Sequence, residues 1–410
     1  MRTKQKYIVP LVLTLISAVL FGSCKKDYSE ADDYQTYYLK SFGSNNNEGF
    51  GFLNACKDGH LYTGGWISTD SIQYILQMDY DRFGKKINSS QLAFESPSAY
   101  GSRLSDGTFI LGNRGYDWKA RFDADGKKMG EFEDPSGGYN YWHTRPILLE
   151  NGQIGYGLSN GITSSTSQSY LVELNGDMTF NTGYPVSDQD MDGKVLQVMY
   201  DKNDGNVLSF SGNMYRNPWD FSSPIVAFTA RIDLVNQMNS VLRFAIPADS
   251  GQSTYVVDRV VTNDGSLVQL FSSGFYYLTN GDSRCGSYFE MMKWSEDRQT
   301  VHWRNKYSIG LKMVVPYAMT QTNQGDFIIV GSTRNGQGDT RYPFVVKIDK
   351  DGNLLENKIF FNLFDGTFRY GYQESNGDFY FAGEMELFGK KSTGSDAIIV
   401  KTDAQLNFNK

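Results

Sequence analysis

Apolar residues along this chain come in short runs of strand length, broken by Gly, Asn, Asp and Pro. The stretch from Gln324 to Phe360 shows the pattern most plainly, with runs at Phe327–Val330, Phe344–Ile348 and Leu354–Phe360. Runs this short, bounded by turn residues, predict β-strands. They are nearly continuous rather than alternating, so both faces of the strands should be covered. The same phrase recurs along the chain. Its opening turn stands at Asp58-Gly59, Asp106-Gly107, Asn151-Gly152, Asp204-Gly205, Asp264-Gly265, Gln324-Gly325 and Asn376-Gly377, with successive anchors 45 to 60 residues apart. A period near 50 residues with four strands per unit is the mark of a β-propeller blade, and seven anchors predict seven blades.

Within each unit the anchor joins strands a and b. Strand b follows, as at Phe109–Leu111, Phe327–Val330 and Phe379–Ala382, and usually ends in glycine. Strand c follows, as at Lys119–Phe122, Phe344–Ile348 and Ala397–Lys401. The seventh unit runs out of chain after about three strands. Thr36 to Phe42 can supply the fourth and close the ring, which would remove two open sheet edges. The fold expected is therefore all-β: a seven-bladed β-propeller of four-stranded blades, closed by an N-terminal strand. Phe344-Val345-Val346-Lys347-Ile348-Asp349 with Asp351-Gly352-Asn353 resembles the propeller repeats common in secreted bacterial proteins. That resemblance implies a fold and no particular activity.

The first residues carry no blade. Arg2, Lys4 and Lys6 precede an apolar stretch from Ile8 to Phe21, too short for a comfortable membrane span. Phe21-Gly22-Ser23-Cys24 resembles a bacterial lipobox. This divides the chain into a lipoprotein signal peptide (residues 1–23), a polar tether starting at lipidated Cys24 (residues 24–35) and the propeller (residues 36–410). Cys24-Lys25-Lys26-Asp27 and the acids after it look like Bacteroidota-type lipoproteins. The resemblance implies an outer-membrane lipoprotein, lipidated by fatty acids such as palmitate, facing the cell surface or alternatively the periplasm. Loss of residues 1–23 would take the formal net charge from −7 to −10. That acidity argues against nucleic acid as a partner, and leaves the lipid as the only hold on membrane.

Candidate chemistry is sparse. Asp188, Asp190 and Asp192 precede Gly193 at the spacing of a calcium loop, in which alternating carboxylates wrap a hard cation. Leu196 and Met199 stand where a closing carboxylate is expected, so the alternative is an acidic solvated loop. No other cofactor is indicated. Gly157-Leu158-Ser159-Asn160-Gly161 matches a nucleophile elbow in letters but lacks the helix that must follow. His60, His143 and His302 lie in different blades with no metal-ligand spacing.

Loop length is more informative. The a–b turns are short and alike, whereas the b–c connections are long and unlike one another. Variable loops on a rigid scaffold are where binding sites are built. In or beside them lie Trp66, Arg114, Trp118, Tyr215, Arg216, Trp219, Tyr276 and Arg334, and a d–a loop on the same face adds Trp142 and His143. Such residues suit a glycan, a peptide or an envelope protein as partner. With no catalytic constellation legible, the expectation is a non-enzymatic binding protein working on the b–c face. A scaffold subunit of an envelope complex is the alternative, and a glycan-processing enzyme ranks below both.

Overall fold

The computed structural model describes residues 38–42, 47–56, 60–68, 73–81, 85–94, 99–113, 118–133, 141–160, 169–186, 194–205, 207–215, 225–234, 244–245, 253–277, 283–284, 286–336, 340–361, 365–386 and 395–407. All of them lie in the compact unit Tyr37–Lys410. Among them there is no helix, and the strands form seven antiparallel sheets. Each sheet is one blade of a seven-bladed β-propeller.

Counted along the chain, blade 1 is Asn47–Ala55, Leu61–Ser68, Gln73–Tyr80 and Lys86–Phe94, and blade 2 is Ala99–Arg103, Phe109–Asn113, Trp118–Phe122 and Lys128–Glu133. In blade 3 the innermost place is split between Tyr141–His143 and Ile147–Leu148, which both pair with Ile154–Asn160. Ser169–Leu174 and Phe180–Val186 complete it. The inner strands a of blades 4, 5 and 6 are Lys194–Asn203, Ser253–Val261 and Met313–Gln321. Blade 7 has Asp365–Gln373, Phe379–Glu386 and Asp396–Thr402. Its fourth strand is Tyr38–Phe42, paired antiparallel from Tyr38↔Lys401 to Phe42↔Ala397. The chain thus closes its own ring, as the short seventh repeat predicts.

The repeating letters have physical causes. Six of the seven anchor glycines are described, and all six have positive φ, from 77° at Gly265 to 97° at Gly377. A side chain there would be strained. Around Gly325 the turn is held by Gly325 N donating to the Thr322 carbonyl (3.0 Å) and Thr322 N donating to the Asp326 carbonyl (2.7 Å). The same pair of bonds recurs at Gly107, Gly152, Gly265 and Gly377. The glycine expected to end strand b lies inside it, as Gly331 does in Phe327–Arg334 and Gly383 in Phe379–Glu386, and answers to close approach instead. A Cβ on Gly331 would lie 2.2 Å from the Val315 carbonyl oxygen, and one on Gly383 1.9 Å from that of Thr367.

The core sits between blades. Phe52 of blade 1 has its ring 5.4 Å from Phe109 of blade 2 and 5.0 Å from Tyr370 of blade 7. These rings belong to one buried cluster spanning the three blades at the closure. Strands b and c are buried on both faces, as at Phe327–Arg334 and Asp396–Thr402. Outer strands such as Leu354–Ile359 are largely exposed. Inner strands carry bulges, at Tyr317 in blade 6 and Arg369 in blade 7 among others, where two residues oppose one. A bulge re-aims side chains locally, and here it does so on the strands that line the channel.

Candidate functional site

A cavity of about 720 Å³ lies in the central channel, lined by the inner strands of blades 2 to 7 and by the a–b turns that follow them. It therefore sits toward the a–b end. This volume falls within the range of small-molecule sites, roughly 300–1,000 Å³.

Four cations and three acids line the cavity: Arg103, Arg145, Lys202 and Arg259 against Glu150, Asp201 and Asp258. Most are committed to one another. Arg145 of blade 3 reaches Asp258 of blade 5 through Nη1. Asp258 also accepts a hydrogen bond from Met319 N of blade 6 at 2.9 Å. Arg259 pairs through Nε with Asp201 of blade 4 at 3.1 Å, and its Nη2 donates to the carbonyls of Tyr200 (2.7 Å) and Arg145 (3.1 Å). The Ser211 hydroxyl supports Asp201 at 2.7 Å. Burial pushes the Asp201 carboxyl up, against Arg259 and Arg298, and pushes the Arg259 guanidinium down, against Asp201. This network ties four blades together at the axis.

Lys202 holds Glu296 (2.9 Å) and Glu150 (3.4 Å) at the mouth. Burial works against its charge, but these carboxylates outweigh it and raise its pKa. Arg103 is different. Its guanidinium lies 4.9 Å over the Tyr372 ring, and it pairs with no carboxylate among the described residues. Tyr370 stands beside it, with Arg145 5.8 Å from its ring. Burial pushes the Tyr370 phenol up to about 12, against the pull of Arg145 and Arg103, so it keeps its proton at neutral pH.

The residues expected to bind on the b–c face fall differently. Trp118 is a correction: it opens strand c of blade 2 and is 6% exposed within the core, so it offers no ring face to a ligand. Trp66 ends strand b of blade 1 and is half-buried, packed across Gly49. Arg369 lies 5.8 Å from its ring and 4.2 Å from that of Tyr317. Arg334 is half-buried at the end of strand b of blade 6. Trp142 and His143 lie in the short inner strand paired with Ser159 and Leu158, and Tyr215 and Tyr276 near the ends of their strands b. Arg114, Arg216 and Trp219 lie outside the described residues, as do Cys24 and the loop of Asp188, Asp190 and Asp192. Among the described residues no group of three or more His, Cys, Asp or Glu is placed to hold a metal ion.

The elbow-like motif is resolved by burial. Ser159 of the elbow-like motif is fully buried in strand b of blade 3 and bonded to Ser169 at 3.0 Å. Glu384 and Glu386 end strand b of blade 7. There Arg369 holds Glu384 at 2.7 Å and Arg341 holds Glu386 at 3.0 Å. The cavity residues Arg103, Arg145, Tyr370 and Tyr372 were not singled out by sequence. Their signal was position alone, just ahead of an anchor on strand a.

No protein-family profile matches the chain, and no curated protein resembles it significantly in sequence. Solved structures do share its fold. An ulvan lyase of polysaccharide lyase family 25, bound to -[GlcA(1-4)Rha3S]-, superposes with TM-score 0.50 at 10% identity, covering 89% of this chain and 96% of that one. The polysaccharide lyase Uly1 gives 0.48 at 11% identity, covering 86% and 90%. A protein of unknown function from Dyadobacter fermentans gives 0.48 at 8%, covering 88% and 98%. The expectation that the chain is not an enzyme is corrected by the ulvan lyase. A lyase is built on the same propeller, so blades without a legible motif do not argue against catalysis.

Proposed function

We propose that this propeller handles a glycan in its central cavity. The observation that carries the reading is the cavity itself, with tyrosine rings, guanidinium groups and side-chain amides brought together from the inner strands of six blades. Mixed aromatic and donor walls suit the faces and hydroxyls of sugars. The fold-level likeness to an ulvan lyase with a bound saccharide supports a glycan over a peptide. The site is placed toward the a–b end rather than on the b–c loops. A panel of neutral and acidic polysaccharides tests the reading. Binding is read by affinity electrophoresis, and cleavage by new reducing ends and by the ultraviolet absorbance of unsaturated products. At least one polysaccharide should be retarded or cleaved, and a panel giving neither result defeats the proposal.

The lipid anchor at Cys24 belongs to the same proposal and would hold the propeller at the outer membrane. Cells labelled with palmitate should yield labelled wild-type protein and unlabelled Cys24→Ser protein. Equal labelling of both would remove the anchor from the account.

A further inference from the structure

Among the described residues, Arg103 is the cavity cation left without an acid. Arg145, Arg259 and Lys202 each have a carboxylate within reach, and Arg103 has none among the described residues. It is exposed, yet its guanidinium is not free to wander, because it stacks 4.9 Å over Tyr372. Stacking of this kind holds the plane of the fork while leaving its N–H groups to a ligand. Tyr370 and Tyr372 also line the cavity, and neither side chain makes a hydrogen bond among the described residues. The wall formed by blades 2 and 7 is therefore rich in unused donors. Across the mouth, the wall of blades 3 to 5 carries Glu150 and Glu296, both already turned toward Lys202.

We infer that Arg103, on its Tyr372 platform and with Tyr370 beside it, is the subsite for an anionic group of the glycan. This rests on the glycan reading above and narrows it to acidic saccharides. The shared chemistry is a planar or tetrahedral oxyanion, a uronate carboxylate or a sulfate ester, gripped by two parallel N–H groups of the fork. On the wall opposite, the cations are already held by carboxylates, so the saccharide is oriented with its anion toward blades 2 and 7. An acidic protein does not collect polyanions by general attraction, and that makes a local cation the means of recognition.

The test uses three probes: a hyaluronan oligosaccharide carrying carboxylates only, dextran sulfate carrying sulfates only, and unmodified dextran. Wild-type protein should bind at least one acidic probe and prefer it to dextran, and which one binds identifies the anion. Arg103→Ala should weaken that binding roughly ten- to a hundredfold, the loss of a charge-assisted contact. Arg103→Lys should recover only part of it, because the charge returns without the fork. Lys128→Ala, on the outer strand of blade 2, should bind as wild type. Thermal melting of Arg103→Ala should match wild type, since the side chain has no ion pair to lose among the described residues. Unchanged acidic binding by Arg103→Ala, or dextran bound as tightly as the acidic probe that binds, overturns the subsite and leaves the glycan reading standing. Failure of every probe and every polysaccharide of the wider panel defeats both.

Discussion

Asp258→Ala should cost the propeller about 3–5 kcal/mol of stability, the range for removing one member of a buried ion pair. The carboxylate is 3% exposed and serves two other blades at once. It takes the Arg145 guanidinium of blade 3 and the Met319 N–H of blade 6. Removal would leave the guanidinium without its counter-charge and the N–H without an acceptor. A buried N–H left unmet costs about 1–3 kcal/mol by itself. The contrast is Asp264, whose pair with Lys293 lies at the surface with the carboxylate 59% exposed. Lys293→Ala should cost about 1 kcal/mol or less. Urea midpoints of the two variants measure the difference. Equal midpoints would mean that the axial network does not hold the blades together.

Deleting residues 37–42 should be comparably damaging. The strand Tyr38–Phe42 pairs residue for residue with Ala397–Lys401. Its loss removes on the order of 5 kcal/mol of backbone hydrogen bonding at about 1 kcal/mol each. It also leaves Ile398, Ile399 and Val400, all fully buried now, on a strand with an open edge. Such an edge is a template for aggregation. The deleted protein should melt earlier and elute in part as oligomers on size exclusion. A monomer with an unchanged melting temperature would show that the ring closes without this strand.

Much of this fold was legible because a propeller repeats its own physics. The anchor glycines appear as letters since positive φ excludes other residues, and strand-b glycines since a carbonyl occupies the space of a Cβ. The closing strand was legible by subtraction, from a last repeat that was too short. The site was not legible. Sequence reasoning followed loop length to the b–c face, where Trp118 is a core residue and Trp66 is packed on Gly49. The cavity is built from strand a, whose residues become neighbours only when the ring closes. Arg145 and Asp258 are 113 residues apart, and no spacing rule joins them. Arg103 reads in sequence like any solvent-facing arginine. It stands out only once every other cation of the cavity is seen to be paired.

Hydrogen exchange read by mass spectrometry tests the placement of the site most directly. The wild-type protein is compared with and without a saturating acidic oligosaccharide from the probe set. Slower exchange is expected in peptides covering Gly101–Ser105 and Tyr370–Ser375, at the a–b end of the channel. Slower exchange confined to the b–c loops carrying Arg114 and Trp219, with those peptides unchanged, would contradict it.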